Sequence, residues 1–471
     1  MMIHIQEIAW RPPAEAFAVW ADDPYVTWLD SAAPADPRSR YSYLCVKPFQ
    51  VLEAKDARVT VNGTPVEGDP FQALQRELAR WRLEPGQAPV PFAGGAVGFL
   101  GYELGGHLER LPRRHVDGLG IPDMAVAFHD IMLAFDEDTR RCWVLSSGFP
   151  ETASEARKSR AAARANAILR RLEGVTPIPS SAGHEHTGAR WRPELTRQAY
   201  EARIMRVLDY IRAGDIFQAN FTMRHLTPRQ PRHRAADLYL RLRTRSPAPF
   251  SAFVACGSRL TLASASPERF LRLDATGRVE TRPIKGTRPR YADPVMDAAA
   301  ARELAASEKD RAENLMIVDL LRNDVGRVAK IGSVTVPSLF EIESFASVHH
   351  LVSTVEGRLR PGLGPVDLLR ATFPGGSVTG APKLRAMEII DELEAARRGP
   401  YCGAIAWIGF DGTMDSSIVI RTLVITPDLV VAQAGGGIVA DSDPAGEYEE
   451  QLVKVRPLLR VLGMPSDEAC A

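Results

Sequence analysis

The chain has 471 residues, of which 45% are hydrophobic and 25% are charged, and its 58 Lys and Arg residues balance 58 Asp and Glu residues. These values are typical of globular proteins and exclude disordered, collagen-like and low-complexity classes. The length fits roughly three domains or one large unit that mixes helices and strands. Because the net charge is zero and the basic runs are short, we expect neither nucleic acid nor a membrane as a partner.

Neither the first residues nor the cysteines indicate export. The start, MMIHIQEIAWRPP, lacks a basic segment followed by an apolar one, and no stretch reaches the roughly 18 apolar residues of a membrane span. We therefore expect a cytoplasmic protein. The cysteines are odd in number, far apart and never in a C-x-x-C pair, which argues against a disulfide framework or a thiolate zinc site. They are Cys45, Cys142, Cys256, Cys402 and Cys470, and we expect inert thiols.

The first part of the chain alternates short strands with two helices. Strands are predicted at residues 25–30, 42–52, 58–61, 124–135 and 142–147, and helices at residues 71–81 and 151–173. The segment 174–188 is rich in Pro, Gly, Ser and His without periodicity, which predicts a loop or a domain boundary. We divide the chain there into residues 1–185 and residues 186–471.

The second part begins with an amphipathic helix and carries most of the chemistry. The helix is indicated by one apolar stripe of Tyr200, Ile204, Val207, Leu208 and Ile211. Strands are predicted at residues 251–254, 260–264, 279–283, 348–355 and 418–425, and helices at residues 297–324, 383–396 and 448–462. Long helices at intervals among strands predict an α+β fold in which helices back large sheets.

Two pairs of carboxylates, each three residues apart, lie at predicted helix starts. Ser307 and Asp310 fit the S-x-x-D pattern that begins a helix, so Asp310 and Glu313 share one helical face. Glu447 and Glu450 repeat the spacing in the last helix. Mg²⁺ binds oxygen ligands and favours one or two carboxylates plus substrate oxygens, so both pairs are candidate ligands. The alternative, which spacing alone favours, is that these acids only complement the helix dipole.

Lys285 is a candidate nucleophile in the segment RPIKGT. A predicted strand ends here in Pro and then Lys-Gly-Thr, so a small substrate can approach the lysine beside the glycine backbone. Desolvation can lower the pKa of such a lysine from about 10.4 and make it nucleophilic. The alternative is a solvated lysine at a strand end, which is the commoner case and which the residues alone leave open.

Two glycine-rich turns can bind an anionic ligand through the backbone. Residues 373–383, FPGGSVTGAPK, have the G-x-x-x-x-G spacing of a phosphate loop, but Ala381 and Pro382 stand where that loop requires Lys and Ser or Thr. We therefore exclude a nucleotide loop and keep the backbone N–H groups and the hydroxyls of Ser377 and Thr379 as carboxylate donors. The turn at residues 433–438 offers similar backbone contacts, with a hairpin or bulge as its alternative.

Two further side chains lie in predicted strands. Arg421, in the strand 418–425, can clamp a carboxylate because its guanidinium matches two oxygens; the alternative is a surface arginine. His350 shares a strand face with Val352 and Thr354, where a core histidine is the usual alternative.

Taken in order, these motifs resemble those of the chorismate-utilising enzymes, in particular the type that forms aminodeoxychorismate. The matching stretches are SPERF (266–270), RPIKGTRPR (282–290), KDRAENLMIVDLLRND (309–324), HHLVSTVEG (349–357), FPGGSVTGAPKLRAMEII (373–390), MDSSIVIRT (414–422), QAGGGIVADSDP (433–444) and EYEE (447–450). The resemblance covers the chain from about residue 196 onward and is looser before it. It implies an α+β fold of large, orthogonally packed antiparallel sheets with helices outside, and it makes residues 186–471 the catalytic domain.

The resemblance also implies roles for individual residues. Anthranilate-forming members usually carry Ala at the position of Lys285, so the lysine is similar to that of the aminodeoxychorismate type, where it acts as a nucleophile. Glu268 resembles the proton donor, and His350 belongs to the same catalytic group. Glu313 and Glu450 resemble the principal Mg²⁺ ligands, with Asp310 and Glu447 acting less directly. The implied substrate contacts are Gly286, Thr287, Thr379, Tyr401, Arg421, Gly435, Gly436, Gly437 and Lys454.

The implied activity is an amino transfer that converts chorismate and ammonia to 4-amino-4-deoxychorismate for 4-aminobenzoate and folate synthesis, with Mg²⁺ as cofactor. No G-x-C-x-G glutaminase segment is present, so ammonia is expected from a separate glutamine amidotransferase subunit in a heterodimer. The alternatives are a synthase that forms anthranilate, isochorismate or salicylate from the same substrate, and a non-catalytic subunit that docks an amidotransferase.

The family also has a tryptophan pocket, and its elements are similar to three segments here, at residues 29–31, 38–41 and 249–251. The implied contacts are Ser31, Arg38, Ser39, Arg40, Tyr41, Pro249, Phe250 and Ser251. Asp30 departs from the family's pattern, and ordinary sheet packing is the alternative. The sequence therefore leaves open whether tryptophan binds.

Overall fold

The computed structural model describes residues 3–33, 36, 38–174, 188–345 and 348–463. The strands in this part of the chain are β1 (His4–Ile8), β2 (Thr27–Asp30), β3 (Tyr41–Cys45), β4 (Gln50–Lys55), β5 (Arg58–Val61), β6 (Thr64–Val66), β7 (Gly95–Leu100), β8 (Met124–His129), β9 (Ile131–Asp136), β10 (Arg141–Ser146), β11 (Arg192–Pro193), β12 (Gln218–Pro228), β13 (Phe250–Cys256), β14 (Leu260–Ser266), β15 (Arg269–Leu273), β16 (Arg278–Thr281), β17 (Ile284–Pro289), β18 (Thr335–Ser344), β19 (Val348–Arg358), β20 (Gly380–Ala381), β21 (Ala404–Gly409), β22 (Met414–Ile418), β23 (Thr422–Ile425) and β24 (Leu429–Ile438).

The helices that accompany these strands are α1 (Pro13–Trp20), α2 (Pro70–Ala79), α3 (Ser154–Glu173), α4 (Arg197–Arg212), α5 (Ala235–Arg245), α6 (Pro294–Ala306), α7 (Glu308–Gly326), α8 (Pro365–Thr372), α9 (Lys383–Leu393) and α10 (Pro444–Leu459). Among the helices of the described ranges, none combines the length and the apolar composition needed to cross a membrane.

Two large antiparallel sheets organise the fold. The first has the order β1-β10-β9-β3-β2-β13-β14-β23-β24-β12-β11, with β20 added to β12. The second has the order β17-β19-β16-β15-β22-β21-β7-β8-β4-β5-β6, with β18 added to β19. The prediction of an α+β fold built on large antiparallel sheets is therefore confirmed.

Strands from both sides of residue 185 share both sheets. In the first sheet β2 pairs with β13, and in the second β7 pairs with β21. The predicted boundary segment, residues 174–188, lies largely outside the described residues. The division at residue 185 stays a prediction, but neither sheet is built by one part alone.

Aromatic side chains help to join the two sheets. Phe92 is fully buried, and its ring stacks on Trp407 of β21 with centroids 4.8 Å apart. The same ring meets the edge of Tyr43 from β3, with centroids 5.5 Å apart. Burying one such ring contributes about 1.5–3 kcal/mol, so this contact is a substantial link between the sheets.

Four predicted elements are interrupted in the structure. The strand predicted at residues 42–52 is two strands, β3 and β4, which belong to different sheets. The strand predicted at residues 124–135 is two strands, β8 and β9, and the helix predicted at residues 297–324 is two helices, α6 and α7. Ser307 separates the helices and caps α7, because its Oγ accepts a hydrogen bond from the Asp310 N–H at 3.3 Å. The continuous strand predicted at residues 418–425 is wrong, since β22 and β23 belong to different sheets and the chain crosses between them at Arg421.

The cysteines in the described ranges are Cys45, Cys142, Cys256 and Cys402, and all four are free and buried. Burial raises the pKa of each of these thiols. They are therefore protonated and inert near neutral pH, as predicted. Cys470 lies outside the described residues.

Candidate active site

Lys285 lies on β17 in contact with the acidic helix α7. Its Nζ is 2.8 Å from Glu313 Oε1, and the two side chains are only 10% and 14% exposed. The strand has an irregular register between Lys285 and Thr287, with Gly286 at a φ of 76°. A Cβ on Gly286 would lie 2.9 Å from Asp310 Cγ. Glycine therefore permits both the backbone conformation and the close approach of β17 to α7.

The environment of Lys285 sets its charge. Burial lowers the pKa of Lys285, but the charge and hydrogen bond of Glu313, together with the charges of Glu268 and Glu450, raise it above its ordinary value. The lysine is thus a buried ammonium at neutral pH and not the solvated lysine of the alternative reading. It can act as a nucleophile only after it gives up a proton.

Glu268 is the second titratable group of the centre. It follows β14, and its backbone is fixed because Ile418 N donates to its carbonyl at 3.1 Å and its own N–H donates to Ser266 Oγ at 3.3 Å. Burial raises the pKa of Glu268 to about 7, against the hydrogen bond from Ser377 and the charge of Lys285. A carboxyl group with this pKa can carry a proton at neutral pH and release it during a reaction.

Carboxylates from both pairs approach adjacent glycines of β24. A Cβ on Gly436 would lie 3.0 Å from Glu447 Oε2 and 3.6 Å from Glu450 Oε1. A Cβ on Gly437 would lie 2.7 Å from Glu313 Oε1. Carboxylates from α7 and α10 therefore come within a side-chain length of adjacent glycines, although the sequence separates these helices widely.

Each pair is balanced by neighbouring groups. Within the described ranges, no cluster of three or more His, Cys, Asp or Glu side chains is already arranged to hold a metal. The ion pairs and the hydrogen bond that engage the carboxylates are Lys285 with Glu313 at 2.8 Å, Arg288 with Asp310 at 3.2 Å, Lys454 with Glu450 at 2.6 Å, and Ser442 Oγ with Glu447 at 2.6 Å.

The donor chemistry nevertheless fits Mg²⁺. Carboxylate oxygens are the ligands that this ion prefers, and Glu313 and Glu450 both stand beside the backbone of glycines, which add no side chain of their own to the space between them. Burial, together with the charge of Glu450, raises the pKa of Glu447 in spite of the Ser442 hydrogen bond. Negative charge is therefore held there at a cost that a bound cation would remove.

The two histidines of β19 have different surroundings. His349 is buried, and its ring bonds Ser344 Oγ at 2.7 Å and Asp297 Oδ1 at 3.0 Å, which is a structural role. His350 Nδ1 is 2.9 Å from Thr287 Oγ1, next to Gly286. Burial lowers the pKa of His350 to about 4, so the ring is neutral near pH 7. It can donate or accept one hydrogen bond without adding charge.

Arg421 lies where the chain crosses between the sheets, with a φ of 53°. Its Nη1 donates to the Lys454 carbonyl at 2.8 Å, while Lys454 Nζ donates to the Gly435 carbonyl at 2.9 Å. Burial lowers the pKa of Arg421, opposed by Tyr401 and Glu450. The surface-strand alternative is therefore wrong, because Arg421 belongs to the group around the glycines and Tyr401 is itself buried.

Thr379 and Ser377 differ from expectation in how they use their hydroxyls. Thr379 is fully buried, and its Oγ1 donates to the Gly375 carbonyl at 3.1 Å, so that hydrogen serves the turn itself. Ser377 instead hydrogen-bonds Glu268. Of the two, Ser377 is the hydroxyl that contacts the reactive groups.

Gln218 is a site residue that the sequence did not indicate. It is 1% exposed, its Nε2 donates to Glu313 Oε1 at 3.1 Å, and a Cβ on Gly437 would overlap that nitrogen. Its Oε1 has no hydrogen-bond partner among the described residues. Glutamine in IFQANF carries no motif, so its role is revealed only by the contact of β12 with Glu313 of α7.

A separate cavity of about 570 Å³ lies between the sheets, away from Lys285. Seven of the eight residues predicted for tryptophan line it, all but Ser39, which is buried elsewhere. Asp30 also lines the cavity, but its carboxylate accepts hydrogen bonds from Arg243 and, at 2.8 Å, from the Tyr239 hydroxyl. That carboxylate is therefore already neutralised within the protein.

Comparisons with known proteins identify the family of the chain. Residues 25–460 match the family model described as chorismate binding enzyme. The chain is 42% identical to aminodeoxychorismate synthase component 1 of Klebsiella aerogenes, over 97% of this chain and 98% of that protein. It is 41% identical to anthranilate synthase component 1 of Thermus thermophilus, over 96% of this chain and 95% of that protein. The crystal structure of anthranilate synthase component I from Streptococcus pneumoniae superposes with a TM-score of 0.79 at 32% identity, covering 89% of this chain and 92% of that one.

Proposed function

Because the chain belongs to the family of chorismate binding enzymes, we propose that it is the component of an aminodeoxychorismate synthase that acts on chorismate. The reaction exchanges the C4 hydroxyl of chorismate for an amino group from ammonia and gives 4-amino-4-deoxychorismate, a precursor of 4-aminobenzoate and folate. The observation that carries the proposal is the buried Lys285, held beside Glu313 at 2.8 Å and within the electric field of Glu268. Related proteins of two activities match almost equally well, so the assignment depends on this lysine.

In the first half of the proposed reaction, Lys285 bonds to ring C2. Glu313 is positioned to accept the proton that Lys285 must lose to become a neutral amine. As the C2–N bond forms, the ring double bonds shift and the C4–O bond breaks. Glu268 protonates the departing hydroxyl, which leaves as water. The nitrogen of Lys285, which now carries an extra proton, gives that proton back to Glu268.

In the second half, ammonia bonds to C4 and the double bonds shift back. The C2–N bond to Lys285 then breaks, and the lysine takes up the proton that the new C4 ammonium releases. Glu313 then returns the proton that it accepted, which restores the ammonium of Lys285. The net change is the exchange of ammonia for water, with the enzyme restored. Arg421 and Lys454, beside the glycine backbone, are placed to bind the carboxylates of the substrate.

We further propose that Glu313 and Glu450 hold Mg²⁺, with Asp310 and Glu447 beside them. The ion would supply Lewis-acid binding of the ring carboxylate. The proposal is supported by the carboxylate oxygens that approach Gly436 and Gly437 from two helices.

The test is mass spectrometry after incubation of the purified chain with chorismate, Mg²⁺ and ammonium. The proposal expects 4-amino-4-deoxychorismate and, without ammonium, an adduct on Lys285. Lys285→Ala should lose both, whereas Lys158→Ala, which changes a 65% exposed side chain, should keep both. Anthranilate or isochorismate as the product would refute the proposal, and so would undiminished product from Lys285→Ala. Absence of turnover in every condition would favour a non-catalytic docking subunit.

We also propose that ammonia comes from a glutamine amidotransferase partner. Support comes from the name "component 1" of the related proteins, which implies a second component. Glutamine should therefore replace ammonium only when such a partner is added.

Tryptophan is the proposed occupant of the cavity between the sheets. Support comes from the cavity itself and from the seven predicted residues that line it. A bound ligand raises the melting temperature as its concentration exceeds its dissociation constant. A shift with tryptophan that Arg38→Ala abolishes would support the proposal. No shift, with no tryptophan released on denaturation, would refute it.

A further inference from the structure

A buried ion pair lies behind the site and has no part in the chemistry described above. Glu394 follows α9, and Arg398 lies four residues further on in the connection to β21. Their side chains are 4% and 1% exposed, and Arg398 Nη2 is 2.7 Å from Glu394 Oε1. A second bond joins Nε to Oε2 at 2.9 Å, so the guanidinium and the carboxylate meet through two parallel bonds.

The remaining bonds of this pair reach the backbone on two sides. Arg398 Nη1 donates to the Val378 carbonyl at 2.8 Å, and Nη2 donates to the Asn220 carbonyl. Glu394 Oε1 accepts from both the N–H and the hydroxyl of Thr222, at 2.9 and 2.7 Å. The pair therefore bonds a turn and a strand at the same time.

The turn side of these contacts adjoins the proton donor. Val378 lies between Ser377, which hydrogen-bonds Glu268, and Thr379, which the family resemblance places against the substrate. A shift of the Val378 carbonyl would move both neighbours, because they share its peptide bonds.

The strand side adjoins the glycines. In the ladder of β12 and β24, Asn220 is the partner of Gly437 and Thr222 is the partner of Gly435. Glycines have no side chains to fix them by packing, and a Cβ on Gly435 would overlap the Phe221 carbonyl. The position of this backbone therefore depends on what holds β12.

Burying an ion pair in a protein interior carries a high free-energy cost of desolvation. Apolar residues of similar volume are often as stabilising as a buried pair, or more so, because they avoid the cost of removing two charges from water. An arginine, however, carries five N–H donors in one plane, and here four bonds from that plane reach three different segments. No apolar residue or lysine can reproduce that set.

We propose that Glu394 and Arg398 are positioning residues that hold the turn of residues 377–379 and the glycines of β24 at the separation chorismate requires. They act through Val378, Asn220 and Thr222 and do not touch the substrate. The role rests on the proposed function only in that chorismate is the ligand. It does not depend on which product is formed.

The test compares Arg398→Lys with Arg164→Lys. Arg164 is a matched control, since it also pairs with a buried carboxylate, Asp130 at 2.7 Å, and donates to a backbone carbonyl, that of Lys47, but it lies on α3. Arg398→Lys should raise the KM for chorismate roughly tenfold or more, because the turn of residues 377–379 and the glycines of β24 would move apart and orient the substrate less well. The KM for ammonium, which does not depend on that turn and those glycines, should stay within roughly twofold, and Arg164→Lys should leave both values unchanged.

This comparison separates positioning from stability. A variant that merely folds less well has less active enzyme, which lowers kcat and leaves both KM values as they are. The assay follows the consumption of chorismate, so it does not depend on which product is formed. If the isolated chain does not turn over chorismate, the Kd for chorismate measured by calorimetry replaces the KM. A folded Arg398→Lys protein with a wild-type KM or Kd for chorismate would overturn the proposal.

A second pair of variants decides the matter if Arg398→Lys does not fold. Thr222→Val removes the hydroxyl that bonds Glu394, while Thr222→Ser keeps it. The proposal expects a several-fold rise in the KM or Kd for chorismate in the valine variant and recovery in the serine variant. Equal values in the two variants would overturn it.

Discussion

The three glycines of β24 allow a graded test of the site, because an added methyl group meets a different obstacle at each position. At Gly437 a Cβ would overlap Gln218 Nε2 and lie 2.7 Å from Glu313 Oε1. Both atoms are ends of flexible side chains, so the fold can survive while those side chains move. Gly437→Ala is therefore expected to displace Glu313 from Lys285 and to leave the protein folded.

The size of the effect follows from the overlap. Inserting a methyl group into a packed region costs about 1–3 kcal/mol. If that cost falls on the arrangement of Glu313 and Lys285, kcat/KM should drop roughly 5- to 150-fold, at about 1.4 kcal/mol for each factor of ten. Gly436→Ala should have a smaller effect, since its nearest neighbour, Glu447 Oε2, lies 3.0 Å from the added carbon.

Gly435→Ala should behave differently. Its Cβ would overlap the Phe221 carbonyl and lie 2.6 Å from Thr222 Cα, and both belong to the backbone of the adjacent strand. The hydrogen-bonded backbone of a strand cannot move aside as the end of a side chain can, so this variant should lose stability rather than activity alone. Gly326→Ala is the control, because a Cβ there meets nothing within 4 Å.

The assay is chorismate consumption at a fixed concentration of folded protein, with melting temperature recorded for each variant. The reasoning requires loss of kcat/KM without unfolding at position 437 and loss of stability at position 435. Wild-type kcat/KM in Gly437→Ala, or equal melting temperatures in Gly435→Ala and Gly326→Ala, would refute it.

Four further outcomes are expected. Burial raises the pKa of Glu268 to about 7, so its protonated form predominates below that pH and kcat should fall as pH rises through about 7. Glu268→Gln should be roughly 10²- to 10⁴-fold slower and should not show this fall in kcat. A wild-type pH profile in that variant would contradict the assignment of Glu268 as the proton donor. Because its pKa is raised in the folded protein, Glu268 contributes stability that is complete below pH 4.5, its pKa in the unfolded chain, and that is lost as pH rises through about 7. The melting temperature of Glu268→Gln should therefore depend less on pH between these two values than that of the wild type. An unchanged pH dependence would argue against a buried protonated Glu268. Removal of Mg²⁺ with a chelator should raise the KM for chorismate, with recovery on adding Mg²⁺, and an unchanged KM would count against the metal proposal. Phe92→Ala should lower the free energy of unfolding by about 3–5 kcal/mol, because the ring lies between Tyr43 and Trp407. The measurement is equilibrium unfolding in urea. A loss below about 1 kcal/mol would show that the ring does not link the sheets.

Local patterns in the sequence predicted local structure well. The S-x-x-D pattern placed the start of α7 correctly, because a cap depends only on residues within one turn. The composition before Ser307 is helical as well, so the pattern predicts one long helix where α6 and α7 meet at Ser307. Strand alternation gave the type of most elements, since it reflects only which face is buried.

Contacts between distant residues could not be predicted in this way. The run from residue 418 to 425 is apolar except at Arg421 and Thr422, yet β22 and β23 belong to different sheets. Nothing in the alternation marks where a chain leaves one sheet for another. Gln218 meets Glu313 across 95 residues, and that contact depends on how β12 lies relative to α7. The burial of Lys285 likewise depends on where α7 lies, which the family resemblance implied and the spacing did not.

The charges of the site support the proposal that Mg²⁺ binds Glu313 and Glu450 rather than Asp310. In the structure Glu313 is paired with Lys285 and Glu450 with Lys454, and these lysines are the cations that we propose a dicarboxylate substrate and its ring would engage. Substrate binding would then leave Glu313, whose side chain is 14% exposed, with the Gln218 hydrogen bond but without its lysine, and a buried carboxylate without a cation is costly. Glu450 is 52% exposed, so water would offset most of its loss. A divalent cation shared by the two would remove the cost at Glu313, so substrate binding and cation binding would depend on each other. Asp310 is paired with Arg288 at 3.2 Å, which is not among the proposed substrate contacts, and so it has no such need.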